Sequence, residues 1–212
     1  MATKVFVFGA SGHAKVVIDI LERMQDIEIA LVIDDAAKSR GQSICGHTIA
    51  GGRAELLAQR ERVNAGIVTI GDNAARRDVA AWLTGQGFKL VSAIHPAAIL
   101  ARDVTIGAGT VIMGGCVINT DAKIGANVII NTGATIDHDC VIGDGAHIAP
   151  GCHLCGGVHI GAGTFLGAGS TVVPSVHIGA AAIIGAGSAV LENIGDGIRA
   201  AGSPARPLRG AV

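Results

Sequence analysis

The sequence predicts a small parallel α/β domain over residues 1–93, followed over residues 94–212 by a prism of very short parallel strands. Three observations predict it. Strand and helix patterns alternate in the first region, a branched aliphatic recurs at every sixth position in the second, and glycine reaches 32 of 212 residues, well above the usual ~7%.

In the first region, Lys4 to Phe8 is a short apolar strand that stops at Gly9. Ala14 to Met24 then places Val16, Val17, Ile20, Leu21 and Met24 on one helical stripe. A second strand, Ile27 to Ile33, ends at Asp34-Asp35. Further strands are expected at 66–70 and 88–94 and helices at 52–62 and 73–85. Alternation of this kind implies a parallel sheet with crossover helices.

The loop Gly9-Ala10-Ser11-Gly12-His13 lies between the first strand and the first helix, where helix-start amides favour phosphate. Asp34 falls at the end of the second strand, the position of the acidic residue that bonds a ribose hydroxyl in dinucleotide-binding folds. The loop departs from G-x-G-x-x-G, because His13 and Ala14 stand where the pattern continues to its last glycine. This argues for a nucleotide-sugar over a full dinucleotide. A tight turn with no ligand is the competing reading.

In the second region, every sixth residue from Ile106 through Ile112, Ile118, Ile124 and onward to Val190 is Ile, Leu or Val. Two positions before each stands a small or β-branched residue, from Val104 and Thr110 to Ser188. Side chains alternate faces along a strand, so a pair that must point inward at every repeat describes a short strand and a corner. Three such units close one triangular coil. About five coils stacked ~4.8 Å apart give a prism filled with aliphatic columns. Gly107, Gly125, Gly143, Gly161 and Gly179 follow the aliphatic of every third repeat and mark corners, where unusual backbone angles are expected.

Composition removes several classes of function. Sixteen Lys and Arg against 17 Asp and Glu leave a net charge of −1, so neither nucleic acid nor an anionic membrane is an expected partner. No apolar run reaches the ~18 residues of a membrane span, and the start lacks a signal-peptide layout, which predicts a cytoplasmic protein. Five cysteines are expected as free thiols. Cys116, Cys140 and Cys152 fall in the inward small-residue slots, so the spacing Cys152-x-x-Cys155 is read as core and not as a redox motif.

His138 falls two residues after the inward Ile136, at an exposed corner, with Asp139 beside it. An imidazole near neutrality with a carboxylate neighbour suits a general base; a surface histidine at a turn fits the same spacing. His147, His153, His159 and His177 each precede an inward aliphatic and face outward, with His159 and His177 stacked on adjacent coils. A zinc site would need a third ligand that the pattern does not supply, so no metal is expected.

The repeat resembles that of the hexapeptide-repeat acyltransferases, which fold as left-handed parallel β-helices; γ-class carbonic anhydrases share it. Gly9 to Val17, Asp34-Asp35, the run Asn131-Thr132-Gly133-Ala134-Thr135-Ile136-Asp137-His138-Asp139-Cys140 and Gly202-Ser203-Pro204-Ala205-Arg206 together resemble one subfamily. It contains the sialic acid O-acetyltransferases and the UDP-4-amino-sugar N-acetyltransferases of bacterial glycan synthesis, including the bacillosamine pathway. The resemblance implies a Rossmann-like nucleotide-sugar-binding domain followed by the β-helix, and a homotrimer with acetyl-CoA bound between prisms. It implies N-acetylation of a UDP-linked 4-amino-4,6-dideoxy sugar by direct transfer, with O-acetylation of sialic acid or a related sugar as the alternative.

Residue by residue, the resemblance makes His138 the base and Asp139 its acidic partner. It assigns substrate contacts to Ser11, Gly12, His13, Asp34, Asp35 and Gly71, with Asn131 on the sugar. It assigns acetyl-CoA contacts to His147, to the backbone at Gly156 as oxyanion donor, and to Ala168 and Ala186. Arg199, Arg206 and Arg209 form a basic tail, either within reach of CoA phosphates or simply solvated.

Overall fold

The computed structural model describes residues 2–208 and divides into two compact units, Met1–Pro96 and Ala97–Val212. Arg209 of the basic tail lies outside the described residues.

The first unit runs β1 (Thr3–Phe8), α1 (Gly12–Arg23), β2 (Ile27–Ile33), β3 (Ser43–Ile44), β4 (His47–Gly51), α2 (Arg53–Ala58), β5 (Ala65–Val68), α3 (Asn73–Gly85) and β6 (Lys89–Leu90). The sheet order is β3-β4-β2-β1-β5-β6, parallel except for the β3–β4 hairpin. The chain builds outward from β1 through β2 and then crosses back to place β5 on its other side. The loops after β1, β2 and β5 therefore meet at the carboxyl edge where the strand order reverses, the usual ligand position of such sheets.

Most of the few aromatic residues, Phe6, Phe8, Trp82 and Phe88, are concentrated here. Phe6 meets Phe88 edge-on at 5.3 Å, and Phe8 meets Trp82 at 6.3 Å, in a core shared with Ile33, Leu56 and Leu83. The hairpin over 43–51 was not expected. It turns through Cys45 and Gly46, both at positive φ. The helix expected at 52–62 closes after Ala58, because Arg60 and Arg62 donate to the carbonyls three residues back, of Leu57 and Gln59, which tightens the chain into turns. The strand expected at 88–94 splits into Lys89–Leu90 and Ala93–Ile94.

The second unit is a left-handed β-helix of two-residue strands. One face stacks the strands at 111–112, 129–130, 147–148, 165–166 and 183–184 in parallel. The next stacks 99–100, 117–118, 135–136, 153–154, 171–172 and 189–190, and the third 105–106, 123–124, 141–142, 159–160 and 177–178. The second residue of most strands faces in, so Ile118, Ile130, Ile136, Ile148, Leu166 and Val172 are wholly buried, while Val111 and Ile129 are buried at the first position as well. Each such side chain contributes about 1.5–3 kcal/mol on leaving water.

The small inward residue two positions earlier has a polar task as well. Cys116, Cys140 and Cys152 direct their thiols to the carbonyls of Asn131, Cys155 and Gly167 at 3.1, 3.2 and 3.1 Å. Thr110 donates to Gly125 at 2.8 Å and Ser170 to Gly185 at 3.1 Å. Corner carbonyls cannot join the strand ladders, so a buried hydroxyl or thiol satisfies them. Burial pushes all three thiols above the ordinary cysteine range, which keeps them protonated and unreactive.

Corner glycines fall into two classes, and only one has the expected unusual angles. Gly133, Gly151 and Gly169 stand at positive φ. Gly143, with Gly125 and Gly161 one coil to either side, does not; these glycines are required by close approach, since a Cβ on Gly143 would lie 2.6 Å from the Ala162 amide nitrogen of the next coil. At the far end, Arg199–Ala201 extends the first face by pairing with Ile183–Ile184, and Arg206–Pro207 folds back upon it. No helix among the described residues is long and apolar enough to cross a membrane.

Replacing Gly143 with Ala is expected to destabilise the protein by about 1–3 kcal/mol, the usual cost of overpacking where backbone must move. Replacing the open Gly133 should cost only the strain of its left-handed backbone. Urea denaturation of the two variants checks the difference.

Candidate active site

The corner after the strand Thr135–Ile136 carries Asp137, His138 and Asp139. Asp139 occupies a left-handed conformation, φ 59°, at a place in the coil that Gly157 fills one turn later, φ 69°. That conformation carries its carboxylate back onto its neighbour: His138 Nδ1 lies 2.7 Å from Asp139 Oδ2. An ionised carboxylate only accepts, so Nδ1 holds the proton and the neutral ring presents the Nε2 lone pair. The Asp139 hydrogen bond first, and then the Asp137 charge, raise the His138 pKa above the ordinary imidazole value.

His138 is exposed, with its ring over the next coil at Gly156. A Cβ on Gly156 would lie 2.6 Å from both Cε1 and Nε2, so the basic nitrogen faces bare backbone. The ring is exposed and can thus take a proton from a group that arrives from solvent.

At the preceding corner, Asn131 accepts from the Thr132 N–H through Oδ1 at 2.8 Å. This orients Nδ2 to donate to His147 Nε2 at 3.2 Å, and Phe165 holds the His147 ring edge-on at 5.1 Å. Ala168 and Ala186 are exposed on this corner one coil apart, linked by the bond from Gly187 N–H to the Ala168 carbonyl. The expected residues therefore form two groups. His138, Asp139 and Gly156 stand at one edge of the face that carries Thr135 and His153, and Asn131, His147, Ala168 and Ala186 stand at or beside the other.

The first unit gathers Ser11, Gly12, His13, Asp34, Asp35 and Gly71 at the carboxyl edge of its sheet. Ser11 is the N-cap of α1, yet its side chain makes no capping bond. Asp34 Oδ2 accepts the Ala10 N–H at 2.8 Å and Oδ1 accepts the Ala36 N–H at 2.8 Å, so this carboxylate ties the glycine loop to the end of β2. Asp35 is held by an arginine: Arg53 Nε donates to its Oδ2 at 2.9 Å, while the guanidinium lies 4.6 Å from the Trp82 ring.

His13 is mostly buried, and its Nε2 has no hydrogen-bond partner among the described residues. Burial first, and the positive charge of Arg76 second, lower its pKa to about 4. It is neutral near pH 7 and can still donate or accept one hydrogen bond.

The outward histidines His153, His159 and His177 do not join either group. His159 and His177 stack with ring centroids 4.4 Å apart, and His153 Nδ1 pairs with Thr135 Oγ1 at 2.8 Å. Among the described residues, no three His, Cys, Asp or Glu side chains are placed to hold a metal ion.

Comparison with known proteins accounts for both units. The PglD N-terminal domain family matches residues 4–83, and the bacterial transferase hexapeptide family matches residues 121–156 and 157–192. A histidine-to-asparagine variant of perosamine N-acetyltransferase from Caulobacter crescentus, solved with CoA and GDP-perosamine, is 38% identical over 98% of both chains, with a TM-score of 0.93. The chain belongs to this family of hexapeptide-repeat sugar N-acetyltransferases. The acetyltransferase domain of PglB from Neisseria gonorrhoeae, solved with acetyl coenzyme A, is 32% identical over 98% of this chain and all of that one, with a TM-score of 0.91. A UDP-N-acetylbacillosamine N-acetyltransferase of Bacillus subtilis is 38% identical over 112 residues, and the match spans about half the length of each chain.

Sequence reasoning missed residues that the geometry brings forward. Arg76 lies in the first turn of α3, buried, where its Nη1 donates to the carbonyls of Ile70 and Gly71 at 3.1 Å. It fixes the β5–α3 loop and helps to keep His13 neutral. An arginine on a helix carries no signal of burial in a single sequence. Arg53 was equally silent, because only the fold brings it to Asp35.

Gly156→Ala is expected to turn the His138 ring off its position and to cut acetyl transfer by about 10-fold or more, with denaturation unchanged; kinetics beside a urea curve check this. His13 makes stability pH-dependent: the unfolded chain takes up a proton near pH 6.5 that the folded chain resists until about pH 4. Stability should therefore fall by about 2 kcal/mol between pH 7 and pH 5 from this group, and His13→Gln should remove that share of the slope.

Proposed function

We propose that the protein transfers the acetyl group of acetyl-CoA to the amine of a nucleotide-linked amino sugar, with His138 as general base. The favoured acceptor is a UDP-linked 4-amino-4,6-dideoxy sugar, and GDP-linked sugars belong in the test because a close relative was solved with one. The observation that carries the reading is the 2.7 Å His138–Asp139 contact, which leaves Nε2 as the acceptor nitrogen, over Gly156 of the next coil.

In the proposed reaction the sugar amine attacks the thioester carbonyl carbon, and Nε2 takes the proton that the nitrogen must lose as the C–N bond forms. The tetrahedral oxyanion is stabilised by the backbone amide at Gly156. Collapse breaks the C–S bond, His138 returns the proton to the departing thiolate, and the products are the acetamido sugar and CoA. No covalent enzyme intermediate is required.

Ser11, Gly12, His13 and Gly71 hold the nucleotide diphosphate and Asp34 the ribose in this reading, with Asp35 acting through Arg53. Asn131 and His147 serve the sugar and the thioester. They lie at a different corner from His138, so the reading calls for an oligomer, a homotrimer in our proposal, in which His138 of one copy faces Asn131, His147, Ala168 and Ala186 of the next; we place it in the cytoplasm.

Free thiol released from acetyl-CoA measures the activity. Turnover with a UDP- or GDP-linked 4-amino sugar is expected, and none with sialic acid; the reverse result would transfer the chemistry to a hydroxyl. His138→Ala should lose ~10²-fold or more. The base works only when neutral, and its pKa is raised, so activity should rise with pH through a limb above the ordinary imidazole value. Asp139→Asn should move that limb to lower pH and slow the reaction.

A further inference from the structure

His138 has a carboxylate on each side, and the hydrogen bonds of only one, Asp139, have been described. Asp137, which precedes it, accepts two hydrogen bonds through the single atom Oδ1. One comes from the His138 backbone N–H at 2.8 Å, and the other from Asn119 Nδ2 of the preceding coil at 2.9 Å. Asn119 and Asp137 occupy equivalent corner positions, because Ile118 and Ile136 are in register.

The fold does not need polar groups there. The same corner position is filled by Ala101 before them and by Cys155 and Val173 after them, each donating its backbone N–H to the next coil. An Asn over an Asp occurs only at the coil of His138 and the coil before it, and the Asp carboxylate is aimed at the histidine's own amide. Hydrogen bonding to Asn119 keeps Asp137 ionised, its pKa held below the usual carboxylate range.

We propose that Asn119 and Asp137 are positioning residues for His138, Asn119 fixing the Asp137 carboxylate and Asp137 fixing the backbone of the histidine and placing a negative charge beside its imidazole. The proposal rests on the reading of His138 as the base. Other groups at this corner are accounted for. From the preceding coil come Thr120 and Asp121, which bond to each other at 3.4 Å, and from the following coil come Cys155, Gly156 and Gly157, which bring no charge. Asp121 and Asp139 are the remaining acidic neighbours; Asp121 is engaged by Thr120, and Asp139 acts through Nδ1.

Two variants separate the parts. Asp137→Asn keeps an acceptor oxygen at Oδ1 and removes the charge, whereas Asn119→Ala keeps the charge and releases the carboxylate. The His138 imidazole is titrated by NMR in the full-length protein, with His138→Ala to assign its signal, and kcat and the acetyl-CoA KM are measured across pH. Asp137→Asn should lower the His138 pKa by a fraction of a unit, roughly what one nearby exposed charge contributes through water. It should also move the acidic limb of kcat down equally. Asn119→Ala should lower kcat about 3- to 10-fold with a smaller pKa change and the acetyl-CoA KM unaltered.

A His138 titration and kcat profile identical to wild type in both variants would overturn the proposal. If His138→Ala retains wild-type turnover, the base assignment fails instead, and the NMR titration still decides whether Asp137 sets the charge at this corner. Unchanged far-ultraviolet circular dichroism in Asn119→Ala guards against a fold effect.

Discussion

The requirement that every coil close after three repeats, with its inward aliphatics directly above those of the coil before, governs the rest of the second unit. It admits only branched aliphatics at one position and small side chains two residues earlier. It also strands the corner carbonyls, and the thiols and hydroxyls of Cys116, Cys140, Cys152, Thr110 and Ser170 answer them. The buried cysteines are therefore polar bracing inside an apolar column. Glycine density has the same origin: at one corner position the chain must turn left-handed, and at another the coils pass too closely for a Cβ.

The chemical groups sit where this constraint is weakest. Corner residues point away from the aliphatic columns, so their identities are free to serve a reaction. Asp139 takes a left-handed position that Gly157 fills one coil later, accepts the modest strain of that backbone for a non-glycine residue, and gains the contact with His138 Nδ1. Gly156 does the complementary work by leaving the space that the ring occupies. The same scaffold thus supplies a base, its carboxylate and its clearance from three positions, two of them adjacent in sequence and the third one coil away.

Much of this could be read from the chain itself, for a physical reason. A hexapeptide repeat is a strict one-dimensional record of a three-dimensional lattice, so outward histidines, inward cysteines and the His159–His177 stack follow from counting. The first unit was legible in its strands β1 and β2 and in helix α3, whose apolar periods are long. The hairpin over 43–51 escaped notice because its first strand has two residues and no period to detect. Arg76, Arg53 and Asn119 escaped for another reason: each acts on a residue whose proximity only the fold creates. The Arg53–Asp35 ion pair is of the same kind, a partner brought to Asp35 by the fold alone.

Because stacked neighbours in the β-helix are always one whole coil apart along the chain, the sequence has something like a reading frame. A substitution at an outward position alters one rung, but a single inserted residue would turn every later aliphatic toward water and every later outward group toward the core. Length changes within the coils are tolerable only as whole turns or as loops extruded at a corner. The gene segment for this unit is accordingly free to vary in letter and rigid in spacing, and new chemistry would enter it by exchanging corner residues between coils rather than by lengthening the strands.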